Sequence, residues 1–342
     1  MRKLLLILSF AVALFVFHAE AGEKEYRKIL EKHDVPVAVR QYVGWENAAS
    51  FWDALTYQNP RLRKLFEDIN KKKGAEKEAM RNVNRLSICN AATDPDIIHS
   101  WDSIFRVIRD EMGLSEEQCS VHLYNDDTMN AGTGLTVDHK FMIVVNGGMI
   151  DVIGSDYDLL LAVLAHEMGH GMLFHHLDSE YAVAKKKRKD KIIAGVAAGL
   201  GAVGAAADVY FATKGVPSSG ADWGGQIAEL GNKLEKSEWL FRYKYSRGNE
   251  FEADLVGYRF MDQIAGRGDK YIELLELIGR NSPIDMYSSE DSDHPSIPER
   301  IGLLEYASQH PEIVNEVDKK IISGIEKSER KKTTKEHDDI YN

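Results

Sequence analysis

Val163-Leu-Ala-His-Glu-Met-Gly-His-Gly-Met-Leu-Phe-His-His176 is the stretch on which the reading of this chain turns. His166 and His170 stand four apart, so a helix places both imidazoles on one face, one turn above the other. Two histidines stacked in this way can hold one divalent metal, and zinc is the usual occupant of an H-E-x-x-H helix. Glu167, next to the first histidine, then points toward the water position rather than at the metal and can serve as a base. The bland alternative is a pair of core histidines that merely fall four apart. A helix start is marked by Ser155-Asp-Tyr-Asp158, a serine followed three residues later by an acid. Leu159 to Ala165 is almost wholly apolar, so the helix should be buried on most sides. Imidazoles and a carboxylate inside such a helix are costly unless something compensates for them. A third protein ligand is needed to complete the set.

That search leads downstream. Residues Ser237 to Ala265 are predicted to form one long helix containing Tyr245-Ser-Arg-Gly-Asn-Glu-Phe-Glu-Ala-Asp254. Glu250 and Asp254 are four apart and share a face, whereas Glu252 must point elsewhere. Two histidines plus a glutamate form a recognised zinc set that leaves one position for water. Ligating histidines also tend to donate their second ring N–H to a carboxylate. Glu250 as ligand and Asp254 as orienting partner would meet both needs from one helix face. The alternative is a solvated acidic face, but Phe251, Ala253, Leu255 and Val256 put the segment in a packed setting. An unpaired carboxylate there would be expensive.

Together, H-E-M-G-H and the later Ser246-Arg247, Glu250, Ala253-Asp254 and Gly257 resemble the gluzincin metallopeptidases of the CAAX prenyl protease and heat-shock membrane protease family. Asp293-His294-Pro295 followed by Arg300, and Asn130-Ala131 upstream, resemble two further family elements. The resemblance implies an α+β, predominantly helical fold, with a zincin-like core and a small sheet beside the H-E-x-x-H helix. It implies zinc on His166, His170 and Glu250, Glu167 as general base, Asp254 orienting a ligand histidine, and His294 stabilising the oxyanion. Read without the resemblance, Asp-His-Pro is equally a turn before a helix starting near Pro298. The multi-spanning helices of the best-known branches are missing here, which favours a soluble, exported branch. His176 stands where a metzincin would place its third ligand, but Leu173 replaces the turn-forming glycine. The helix is therefore expected to continue and carry His176 away, leaving His175 and His176 as helix-end or surface residues.

The start of the chain supplies an address. Met1-Arg-Lys, the apolar run Leu4 to Phe17 and Ala19-Glu-Ala21 have the form of a secretory signal peptide over residues 1–21. The run is too short to span a bilayer comfortably. This reading makes the protein exported, periplasmic or otherwise extracytoplasmic. Cleavage would change the formal charge from −11 to −12, and an acidic surface speaks against nucleic acid as a partner. Cys89 and Cys119 could bridge in an oxidising compartment or remain free thiols.

Residues 22–115 are expected to be a helical N-terminal region, 116–310 the catalytic domain, and 311–342 a closing helix with a charged tail. Asp94-Pro95 should open an amphipathic helix from Asp96 to Met112. Val121–Tyr124 and Phe141–Val145 are predicted as strands, the second able to pair with an extended peptide, and Gly132-Thr-Gly134 as a turn. The lysine run from 185 and the Gly/Ala-rich stretch up to 211 either pack against helices or make peripheral membrane contact. The expected partners are protein and peptide substrates, cleaved through zinc and a glutamate-activated water. The competing reading is a metal-stabilised chaperone that holds unfolded chains without cutting them. A hydrolase of non-peptide substrates is a lesser rival.

Overall fold

The computed structural model describes residues 22–34, 47–57, 60–71, 74, 77–79, 81, 94–135, 140–193, 246–282 and 294–313. The expected signal peptide, Cys89, the Gly/Ala-rich stretch from 194 onward, positions 237–245 of the long predicted helix, Asp293 and the C-terminal tail fall outside them. The described residues begin with α1 (22–33), α2 (Ala48–Tyr57) and α3 (Pro60–Asn70), and residues 77–79 and 81 are also helical. Asn47 starts α2 by accepting the Ser50 N–H at 2.9 Å. The segment expected to be helical from Asp96 divides in three. Ile97–Ile98 form a short strand β1, His99–Trp101 a 3-10 turn, and only Asp102–Glu111 is the helix α4. Pairing of Ile97 and Ile98 with Tyr124 and Leu123 outcompetes the helical spacing.

The sheet is completed by β2 (Cys119–Tyr124), β3 (Ala131–Leu135) and β4 (Phe141–Asn146), in the order β1-β2-β4-β3. β2 and β4 run parallel, and β3 pairs antiparallel with β4. Two expectations need correction. Gly132-Thr133-Gly134 is not a turn but the middle of β3, and β3 rather than the 141–146 segment is the edge strand. Phe141–Asn146 is flanked on both sides, so it cannot accept a further strand.

Next come α5 (Gly147–Ile153) and α6 (Tyr157–Met172), the metal-binding candidate helix. Its N-cap is Asp156, one residue later than predicted, with the carboxylate accepting the Asp158 and Leu159 N–H groups. Every residue from Leu159 to Ala165 is buried, as the apolar run requires. The helix ends at Leu173–Phe174, where Phe174 adopts φ 52°, and α7 (175–193) begins directly after it. Expected continuation through Leu173 therefore fails. Phe174 is held in this unusual left-handed conformation by edge contacts with Phe66 and Phe141.

The remaining elements are α8 (246–259), a π-turn over Phe260–Ile264, α9 (Gly268–Asn281) and α10 (Ile297–Gln309). Ser296 and Glu299 form a capping box at the start of α10, one residue before the expected Pro298. The main hydrophobic core runs from Leu30 in α1 to Ile313 after α10, so α1 and α2 share it with the candidate catalytic elements, while Leu62 and Leu65 of α3 pack in a second cluster with Leu177 and Tyr181 of α7. Two glycines let α6 and α8 meet. A Cβ at Gly169 would lie 3.2 Å from Ala253 Cα, and one at Gly257 would lie 3.1 Å from the His166 backbone nitrogen. Among the described residues no helix is long and apolar enough to cross a membrane. Cys119, at the start of β2, is a free and fully buried thiol.

Candidate metal centre

The close approach of α6 and α8 brings three donors together from two segments about eighty residues apart in sequence. His166 Nε2 and His170 Nε2 are 3.2 Å apart. Glu250 Oε2 lies 3.6 Å from His166 Nε2, and Oε1 lies 3.4 Å from His170 Nε2. Tetrahedral zinc with bonds of about 2.0–2.2 Å has ligand–ligand edges of roughly 3.3–3.6 Å. The three donors therefore fit one zinc ion with little rearrangement, and the chemistry of the set is the two-histidine, one-glutamate type. All three line a cleft of about 360 Å³, together with Glu167, His294 and the edge-strand residues Ala131 and Thr133.

A model of peptidase family M48 matches residues 99–308. The chain belongs to peptidase family M48. The family resemblance carried by the motifs is thereby borne out, as is the α+β zincin-like core. The crystal structure of S. mikatae Ste24p aligns with 87% of this chain at 14% identity and a TM-score of 0.36. The alignment takes in 65% of that protein's own chain. No curated protein matches the sequence.

Within this M48 domain the donors are held by a second layer of hydrogen bonds. His166 Nδ1 lies 3.2 Å from Asp254 Oδ1 and 3.0 Å from Tyr271 Oη, and the tyrosine hydroxyl donates to the same Asp254 oxygen at 3.0 Å. Arg300 closes the far side, with Nε donating to Asp254 Oδ2 at 2.7 Å and Nη2 to Oδ1 at 2.5 Å. Burial alone would raise the Asp254 carboxyl, but the Arg300 charge and hydrogen bonds bring it down to about 2. Burial would likewise depress His166, yet hydrogen bonds to Asp254 and Glu250 lift it to about 10. His170 is held well below its usual value by burial, against the pull of Glu250. Glu250 is held well below the carboxylate range by its histidine neighbours, against its own burial.

The second histidine has a chain of its own, which the sequence reading missed. The break at Phe174 turns His175 inward, so it is buried rather than at the surface. Its Nδ1 lies 2.9 Å from His170 Nδ1, and its Nε2 lies 3.0 Å from Glu252 Oε2. The other Glu252 oxygen is 2.6 Å from His33 Nδ1 in α1. A metal held on His170 Nε2 would fix the protons between His170 and Glu252. His170 would then carry its proton on Nδ1 and donate it to His175 Nδ1, leaving His175 protonated on Nε2 and donating to Glu252. Glu252 does point away from the Glu250 face, as its spacing requires, but toward this relay.

Glu167 sits on the cleft side of α6, 8% exposed. Thr133 Oγ1 from β3 is 2.7 Å from its backbone carbonyl and 3.1 Å from Oε2. Burial holds the Glu167 carboxyl above its ordinary value, with His166 opposing and Glu250 adding to the rise. His294 Nδ1 is 3.3 Å from Glu250 Oε2, and its side chain remains 55% exposed at the cleft mouth. Arg247 Nη1 donates to the His294 carbonyl and Nη2 to Glu299, anchoring this segment on α10. His176 does not join the other histidines and instead hydrogen-bonds the Thr133 carbonyl of the edge strand.

Proposed function

We propose that the protein is a zinc-dependent endopeptidase acting on exported proteins, including misfolded ones, in the periplasm or another extracytoplasmic space. The observation that carries this reading is the convergence of His166, His170 and Glu250 on one tetrahedral set beside the buried Glu167 carboxylate. When bound, zinc would acidify a coordinated water and polarise a scissile carbonyl. Glu167, whose raised carboxyl suits a base working near neutral pH, takes the proton from the attacking water and delivers it to the leaving amine. His294, exposed at the cleft mouth, donates to the oxygen on which charge develops. Asp254 and Tyr271 fix the His166 ring, and His175 with Glu252 fixes that of His170. β3 borders the cleft and is paired on one side only among the described residues, so an extended substrate can lie along it as an additional strand.

Export rests on the signal-peptide pattern of residues 1–21, and any membrane contact would be peripheral. Exposed Ile192 and Ile193 of α7, beside the lysine run, support such a contact. A chaperone that never cuts would have no use for Glu167 or for the residues that hold it. The deciding experiment is Glu167→Gln in the zinc-loaded protein. The variant should keep fold and metal but cleave casein at least ~100-fold more slowly. Undiminished casein turnover would refute the assignment. Retention of zinc by Glu250→Ala would remove the third ligand from it.

A further inference from the structure

A second group of metal-type donors lies away from the cleft. His99 sits in the 3-10 turn, Asp102 is the first residue of α4, and His122 is on β2. Along β2 the buried positions are Cys119, Val121 and Leu123, so His122 projects from the opposite face. There it meets Asp102, whose Oδ1 is 3.4 Å from His122 Nδ1 and whose Oδ2 is 2.8 Å from His99 Nδ1. One donor atom from each residue lies within 4.8 Å of those of the other two. None of the three lines the catalytic cleft, and the mechanism above uses none of them.

We propose that His99, Asp102 and His122 form a second divalent-cation site. The decisive observation is what the protein alone leaves unsatisfied. Both ring nitrogens of His122 and Asp102 Oδ1 are buried, and no hydrogen bond reaches any of them among the described residues. A neutral imidazole carries one donor and one acceptor, and burying both without partners costs the desolvation of each. The 2.8 Å His99–Asp102 contact accounts for His99, whereas His122 Nδ1 stands 3.4 Å from Asp102 Oδ1 without making a hydrogen bond. A cation accepting the lone pair of one His122 nitrogen and of Asp102 Oδ1 satisfies two of these three atoms at once, and the remaining ring nitrogen keeps its proton. The 3.4 Å separation matches the edge between neighbouring ligands on a tetrahedral zinc, as at the first centre. Two imidazoles and one carboxylate suit zinc, or copper and nickel, rather than calcium or magnesium, which prefer all-oxygen shells. The ion would clip the β1–α4 junction onto the central strand β2. The need is evident from β1 itself, a strand of only two residues.

The test counts zinc in the full chain after chelator stripping, reloading and desalting. Wild type should retain about two zinc ions, His122→Ala about one with casein cleavage within about twofold of wild type, and Glu250→Ala about one with no cleavage. His99→Ala serves as a second variant, because a side chain 64% exposed can be removed without endangering the fold. It should also lower the count to about one. A wild type holding a single zinc that Glu250→Ala abolishes would overturn the second site and leave the catalytic reading intact. Two zinc ions that persist in both histidine variants would also overturn it, because the extra ion would then lie elsewhere. One zinc that survives Glu250→Ala and disappears in His122→Ala would instead support this site and remove the proposed catalytic ligand.

Discussion

Arg300→Met isolates the energetic question beneath the metal centre. The guanidinium makes two short hydrogen bonds to Asp254, whose side chain is 0% exposed, while Arg300 itself is 11% exposed. An exposed pair of this kind contributes about 1 kcal/mol or less. Here the carboxylate has no route to water, so removing its cation leaves a buried charge supported only by His166 and Tyr271. Breaking a buried pair from one side typically costs about 3–5 kcal/mol. For a domain of this size each kcal/mol lowers Tm by about 2–4 °C, so the drop should be about 6–20 °C. Urea denaturation of the zinc-saturated proteins at pH 8, followed by tryptophan fluorescence, measures the difference directly. Adding Asp254→Asn removes the stranded charge, so the double variant should be more stable than Arg300→Met alone. The pH dependence has a defined sign. Asp254 is held at about 2 in the fold against about 3.9 when unfolded, so its contribution is complete above pH ~4 and is lost as pH falls toward 2. In metal-stripped proteins the gap between wild type and Arg300→Met should therefore narrow in acid. A loss below about 1 kcal/mol, or a double variant no better than the single, would refute the argument that burial makes this pair decisive.

Glu252→Gln removes the charge at the end of the His170–His175 relay and should weaken zinc binding by about 10–100-fold in competition with a chelator. Unchanged affinity would show that the relay does not orient His170. Gly257→Ala would put a Cβ 2.6 Å from the Tyr271 ring, which is itself fully buried. It should destabilise the zinc-loaded protein by about 1–3 kcal/mol, and an unchanged melting curve would mean that α8 has room to retreat. Burial pushes the Cys119 thiol up to about 12, which leaves roughly one thiolate in ten thousand at pH 8. Peptide mapping after iodoacetamide treatment should find Cys119 labelled only in denaturant, and rapid labelling of the native protein would contradict its burial.

The parts of the site legible in the sequence are those in which helical periodicity fixes side-chain direction. His166 and His170 share a face of α6, Glu250 and Asp254 share a face of α8, and Glu252 is directed away from both ligands. The apolar run Leu159–Ala165 likewise signals a helix buried on most sides. Legibility fails where a long-range contact overrides a local preference. Gly132-Thr133-Gly134 has the composition of a turn, but the hydrogen bonds offered by β4 draw it into a strand. That strand places Thr133 against Glu167, while its two glycines face open space. Ile97 and Ile98 fit a helical pattern as well as a strand, and only the presence of β2 decides between them. Leu173 offers no glycine for a break, so the sequence carries His176 away from the metal and leaves His175 with it at a helix end or on the surface. The break comes one residue later, at Phe174, where aromatic packing from α3 and β4 imposes the conformation that a glycine would adopt freely.

Other long-range contacts tie the candidate metal centre to distant parts of the chain. Glu252 carries the His170 relay to His33 in α1, across 219 residues of sequence. Asp254 carries the His166 contacts to Arg300 in α10. Arg259, one turn beyond the ligand face of α8, is paired with Asp34 just after α1 at 2.9 Å. The helix that carries the proposed third ligand is thus fixed by ionic contacts to elements at both ends of the fold, in a core where unpaired charge is costly. A short motif can specify ligand types, but their spacing to within a few tenths of an ångström depends on these remote partners. Changes in α1 or α10 should therefore be felt first as altered metal affinity, before the apolar core itself gives way.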